Sequence, residues 1–176
     1  HRRSSAASDV YKRQGHTLGL RHNFKASWLY DATEIHDKSI TGNNHIGSVM
    51  DYDPINIAPE GVQQGNYFPT EPGPYDIWAI TFGYTQEMSD ADRQSLLAQS
   101  TKPEFIFGTD DDAMGSPGGN TDPRNKRYDM SSDPITYTVQ RLQIIDNKIN
   151  ELPEIFNEPG STSVSYTHLR AHETTP

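Results

Sequence analysis

The 176-residue chain contains no cysteine, so disulfides and thiolate-bound metal are both excluded. Any metal site must be built from His, Asp or Glu. Long apolar runs are also missing, and none approaches the ~18 residues of a membrane span. Hydrophobic residues make up 32% of the chain and mean hydropathy is -0.80, which leaves material for only a modest core. Positive charge is in the minority, with 15 Lys and Arg against 24 Asp and Glu and a net charge of -9. That balance argues against nucleic acid or an anionic membrane as partner. The length suits one domain of ordinary size.

What is present begins with GHTLGLRHNF, residues 15–24. His16, Gly19 and His22 fit the second half of H-E-x-x-H-x-x-G-x-x-H. In that pattern two His at i and i+4 share one helix face and both reach one zinc ion. The glycine ends the helix in a left-handed conformation, and the third His arrives from the turn that follows. A water completes the shell, and the Glu beside the first His acts on it as general base. The first His should stand at Lys12 and the Glu at Arg13. Two cations cannot replace a neutral imidazole and a carboxylate, so the pattern is cut through its middle.

The two ends differ from the rest. HRRSSAASDVYKRQ (1–14) is basic and poor in large apolar residues, and VSYTHLRAHETTP (164–176) has neither helix nor strand period. Both resemble translated adapter sequence, and we set both aside as non-native tails; native disordered termini are the alternative. Without them, ten Lys and Arg face twenty-two Asp and Glu in residues 15–163, a net of -12. On this reading the missing His and Glu stood upstream of Gly15 in the parent protein.

A second motif follows. In IGSVMDYD, residues 46–53, a methionine precedes a tyrosine by two positions, some thirty residues beyond His22. This resembles the Met-turn of metzincin metallopeptidases. GHTLGLRHNFKAS, GSVMDYDP, GPYDIWAITFGY and DMSSDPITY together resemble the bacterial Met-zincin group, zinc-dependent metalloproteases with an EcxA-type zinc-binding domain, over most of residues 15–160. The resemblance implies an α+β metzincin catalytic domain of which residues 15–163 are the C-terminal part. It implies Zn2+ as cofactor, His16 and His22 as ligands, and a Met50 side chain flooring the site, where a soft thioether suits an irregular gap. Tyr52 takes the place of a tyrosine that in some metzincins reaches the zinc or the developing oxyanion. A protein or peptide substrate and an exported location (periplasmic, cell-surface or secreted) follow from the same resemblance. The sequence departs from the family at Lys12 and Arg13.

The remaining stretches predict a mostly helical piece with long irregular loops. Residues 15–20 read as the last turn of the active-site helix, and 23–49 as a loop with His36 and His45 on its surface. Residues 53–74 carry five prolines and no regular structure. YDIWAITFGY (75–84) reads as a short, mostly buried helix. Ser89 and Asp92 form a capping-box pair ahead of a second, peripheral helix. EFIF (104–107) is a strand candidate. TDDDAMGSPGGNTDP (109–123) fails the EF-hand template for want of a Glu at its twelfth position, which leaves an acidic Gly-rich turn or a calcium site of another kind. Asp133 caps the longest helix, with Pro134 at its first position and Pro153 at its end.

Three functions compete on these grounds. The first is a zinc metallopeptidase lacking its first ligand and its general base in this chain. The second is a non-catalytic binding or structural domain on the same fold, and the third is a calcium-dependent module built on residues 110–123. If the active-site helix packs on a sheet contributed from upstream, apolar surface is left bare around Leu18 and Leu20. The chain alone should then melt broadly; a sharp, cooperative calorimetric transition contradicts that expectation.

Overall fold

The computed structural model describes residues 2–113 and 121–156. Its described residues form helices, short 3-10 turns and long irregular segments, with no strand among them. The helices are α1 (Arg2–Thr17), α2 (Lys38–Thr41), α3 (Pro74–Tyr84), α4 (Asp90–Leu97), α5 (Asp110–Ala113) and α6 (Pro134–Phe156). Contacts divide the chain into two units after Tyr137, and the described part of the second is the remainder of α6. Among the described residues no helix is long and apolar enough to cross a membrane.

Helix α1 starts well before the expected residue 15, so the stretch set aside as a tail forms most of the helix that carries His16. Its end is where the sequence placed it. Gly19 has φ +84, a conformation that costs a residue with a Cβ roughly 1–2 kcal/mol. The Leu20 N–H donates to the Gly15 carbonyl (2.9 Å) and the Gly19 N–H to the His16 carbonyl (3.0 Å). These are the two bonds of a Schellman stop, and they satisfy carbonyls that a helix end leaves open.

The capping signals downstream act as expected. Ser89 accepts from the Asp92 N–H at 3.1 Å and opens α4, which buries no residue and is peripheral. Asp133 accepts from the Thr136 N–H at 3.0 Å and opens α6. Four expectations need correction. Pro153 lies inside α6 rather than after it; a proline removes one backbone donor without ending the last turn. Residues 103–105 form a 3-10 turn begun by Pro103, and EFIF is not a strand because no neighbouring segment offers it a ladder. Helix α3 is only half buried, with Tyr75 and Asp76 inside and Ile77 60% exposed. His36 and His45 are buried, at 5% and 0% exposure, not on the surface.

The core is small. Ala32, Ile35, Ile46, Met130 and Tyr137 form its main cluster, with Tyr30 against it. Polar side chains complete the interior: Asn23, Ser27, Ser48, Asn56 and Asn125 are fully buried. In the proline-rich stretch Asn56 donates to the carbonyls of Ile35 (3.0 Å) and Asn66 (3.1 Å), while Gln64 donates to the Asn56 carbonyl at 2.7 Å. Buried backbone groups must find partners, and here side-chain amides provide them.

His45 generates a pH dependence. Burial first, then the charge of neighbouring His36, pulls its pKa down to about 3. Between the unfolded value near 6.5 and this folded value, only the unfolded chain takes up the proton. Stability therefore falls as pH drops through that window, by about 1.4 kcal/mol per unit. Asp53, whose carboxylate lies 3.9 Å from His45 Nε2, acts in the opposite direction. Burial raises it to about 6 while Lys12 partly offsets the rise, so its contribution is lost as pH climbs from about 3.8 to 6. Urea midpoints at pH 7 and pH 5 separate the two. His45→Asn should lose about 2 kcal/mol less than the unaltered chain over that step, and an equal loss in both proteins would contradict the assignment.

Candidate metal centre

Helix α1 and its glycine stop bring His16 and His22 together. The two imidazole rings are 4.8 Å apart between centroids and nearly perpendicular, at 82°. His16 Nδ1 lies 3.0 Å from the Leu20 carbonyl, within the stop itself. A carbonyl can only accept, so His16 Nδ1 carries the proton and Nε2 keeps its lone pair. His22 Nδ1 lies 3.0 and 2.9 Å from the two carboxylate oxygens of Asp110, which fixes the same tautomer. Each ring thus offers Nε2. An ion about 2.0–2.1 Å from both nitrogens, at a tetrahedral angle, needs ring centres about 5 Å apart. The observed spacing fits.

His22 is held from the far side of the sequence. The Asn23 side chain donates to the Ile106 carbonyl (3.0 Å) and accepts from the Gly108 N–H (3.2 Å). The Phe24 N–H donates to the Gly108 carbonyl at 2.7 Å. Residues 21–24 and 108–111 therefore run antiparallel, and Arg21 pairs with Asp111 at 2.9 Å one step beyond the His22–Asp110 contact. Of the acidic residues in the candidate calcium stretch, Asp110 faces His22, Asp111 faces Arg21, and Asp112 accepts from the Thr109 N–H at 3.0 Å. Residues 114–120 of that stretch lie outside the described residues.

Met50 is fully buried. Its sulfur lies so close beneath Gly15 that a Cβ there would push the thioether aside. The turn that carries Met50 is pinned from both sides. Asp76, at the start of α3, accepts from Ser48 Oγ, from the Val49 N–H (2.9 Å) and from the Gly73 N–H (2.8 Å). Burial raises the Asp76 pKa and these three donors oppose the rise. Asp51 accepts from the Ser27 N–H (3.0 Å) and the Tyr52 N–H (2.7 Å). The Asn23 N–H donates to the Met50 carbonyl at 3.2 Å, tying floor to ligand loop. Sequence reading missed Asp110, Asp76 and Asn23. Asp76 alone left a local sign, an acidic residue in the first turn after Gly73-Pro74.

Tyr52 joins the site through its ring, 4.7 Å from that of His22, 5.6 Å from Phe24 and 6.1 Å from Tyr128. Lys12 stands where the motif places the first imidazole. Its ammonium donates to the Asp51 carbonyl and sits 4.4 Å above the Tyr52 ring, a cation–π contact. Burial lowers the Lys12 pKa, opposed by the charges of Asp53, Asp51 and Asp9. Arg13, in the place of the general base, is exposed. The fit to zinc therefore holds at His16 and His22 and fails at Lys12. Among the described residues no group of three His, Cys, Asp or Glu converges on a point that could hold a metal ion.

A family model described as Met-zincin matches residues 11–173. The chain belongs to the Met-zincin family. Its domain is of metzincin type, a family that implies zinc binding and peptide substrates. No curated protein and no solved structure matches the chain.

The geometry makes the third position decisive for metal affinity. Lys12→His adds an imidazole on the face that carries His16 and removes the ammonium. Cobalt(II) titration should show at least a hundredfold tighter binding, about 2.7 kcal/mol, in the substituted chain. Equal affinity in the two proteins would mean that the third ligand does not come from this position.

Proposed function

We propose that the parent domain of this chain is a zinc-dependent metallopeptidase, and that His16 and His22 are two of its three zinc ligands. One observation supports the reading: two imidazoles, each with Nδ1 anchored, stand 4.8 Å apart at a helix end that rests on a buried methionine in a chain of the Met-zincin family. Zinc, when bound, polarises a scissile carbonyl and makes its water a nucleophile near neutral pH. The chain's own residues would do the rest. His16 and His22 hold the ion, Met50 supports the helix end beneath them, and Tyr52 is placed beside His22 to meet charge on the substrate oxygen. No hydrolytic step is derived for the chain as it stands, because the ligand place holds Lys12 and the base place Arg13.

The motifs GHTLGLRHNFKAS and GSVMDYDP support the zinc chemistry, GPYDIWAITFGY and DMSSDPITY support the EcxA-type bacterial branch, and the same resemblance supports export. We treat 1–14 and 164–176 as additions foreign to the parent, although the family match itself takes in residues 11–14 and 164–173.

A second reading has an observation of its own. Lys12 is well accommodated, with a carbonyl acceptor, an aromatic face and three carboxylates acting on it. A non-catalytic domain that keeps the fold and replaces metal by an internal ammonium would look like this. Sequencing the gene upstream of Gly15 separates the readings. We expect a His four residues and a Glu three residues before His16, and a native Lys and Arg there would establish the non-catalytic form. As the functional check, the K12H/R13E chain should gain peptide hydrolysis that chelation abolishes. The unaltered chain should be at least a hundredfold slower, about 2.7 kcal/mol in transition-state terms.

A further inference from the structure

Helix α6 (Pro134–Phe156) carries an apolar stripe, much of which is open to solvent among the described residues. Ile135 is 77% exposed and Leu142 56%, and Val139 and Ile145 are exposed as well. Ile149 and Leu152 continue the stripe and are half-buried. The spacing is regular. Ile135, Leu142 and Ile149 recur every seven residues, and Thr138, Ile145 and Leu152 recur at the same interval three positions later. Steps of three and four alternate, which is the roughly 3.5-residue repeat of a coiled-coil seam, with the first set at a and the second at d. Tyr137, two positions past Ile135 and about 200° around the helix, is part of the core. One face of the first turn is thus anchored, and the seam runs along the opposite one.

The charges beside the seam fit a second copy of the same helix. Val139 and Asp146 stand at e, and Arg141 and Lys148 at g. When two such helices lie parallel, a g residue of one faces the e residue of the next heptad on the other, five positions further along. Arg141 then meets Asp146 of the partner subunit, twice by symmetry. Antiparallel helices would set g against g, and both g residues are cations. Lys148 faces Pro153 in the parallel register and pairs instead with Glu151 on its own helix, at 2.6 Å. We propose that α6 is a dimerisation helix: two copies of this chain pair in parallel along Ile135, Leu142, Ile145, Ile149 and Leu152, with Arg141 of each copy beside Asp146 of the partner subunit. The seam is shorter than three heptads and has Thr138 at one d position, so the dimer is weak and reversible. None of these residues belongs to the candidate metal centre, so the dimer and the metallopeptidase reading stand or fall separately.

Sedimentation equilibrium of the 176-residue chain should show a reversible monomer–dimer equilibrium in the micromolar range. Leu142→Glu sets two like charges against each other in the seam and should weaken association at least about tenfold. Gln143→Glu adds the same charge to the same helix one residue away, off the seam, and should leave association unchanged. The flanking pair gives a test that does not alter the apolar residues. Arg141→Asp and Asp146→Arg should each weaken the dimer, because each sets like charges together, and the double swap R141D/D146R should restore it. Such a rescue also rules out loss of folding as the cause of the single effects. A chain that stays monomeric up to millimolar concentration overturns the proposal, as does a dimer that L142E leaves intact or that Q143E weakens equally. Tighter association in R141D alone would mean antiparallel helices relieved of cation repulsion, and would overturn the parallel pairing.

Discussion

The candidate metal centre depends on the hydrogen-bonding needs of a backbone with no strand among its described residues. Asn23 meets those needs at the critical point: fully buried, it donates to Ile106, accepts from Gly108 and also accepts from the Lys25 N–H at 3.3 Å. Leaving such groups unpaired costs ~1–3 kcal/mol each, so the loop after His22 has one favourable seat, against residues 106–108. The apposition of His22 and Asp110 follows from that seat. Asn56 organises the proline-rich stretch by the same means, and Asp76 does so for the turn that carries Met50. A chain with 32% hydrophobic residues has little apolar area to spend on specificity, and directional polar contacts supply the register that packing alone would leave loose.

This division of labour explains what could be read from the sequence. Signals that act within three or four residues were legible: Gly19 as a helix stop, Ser89 with Asp92, Asp133 with Pro134. Each is a local contest between a side chain and the next turn of backbone. The pairing of His16 with His22 was legible for the same reason, since six residues and one glycine determine it. Contacts across the fold were not. Nothing near Asp110 marks it as the partner of a histidine 88 positions earlier, and nothing near His45 marks it as buried. The strand expected at 104–107 failed in a related way. A four-residue apolar run is ambiguous, Pro103 biases it toward a tight turn, and its neighbours bond it through the Asn23 amide and isolated backbone pairs instead of a ladder.

Around α1 the local and distant orders meet. Met50 lies under Gly15 and its carbonyl accepts from the residue after His22, so floor, helix end and ligand loop are coupled through one methionine. Asp76 and Asp51 hold that turn with five donors between them, three from the turn itself (Ser48, Val49 and Tyr52) and two from Ser27 and Gly73. A substitution at Asp76 would therefore act on the metal centre through the position of Met50, without touching either imidazole.

Lys12 shows why family membership and present chemistry are separate statements. The sequence around it is that of the family, and function resides in the site. Its ammonium is drawn in by the Asp51 carbonyl, the Tyr52 ring and nearby carboxylates, all of them features that also favour a bound cation. Tyr52 touches both Lys12 and His22, so the ammonium and any ion held by the imidazoles share one neighbourhood and repel. The environment that suits a metal ion accommodates lysine for the same electrostatic reason.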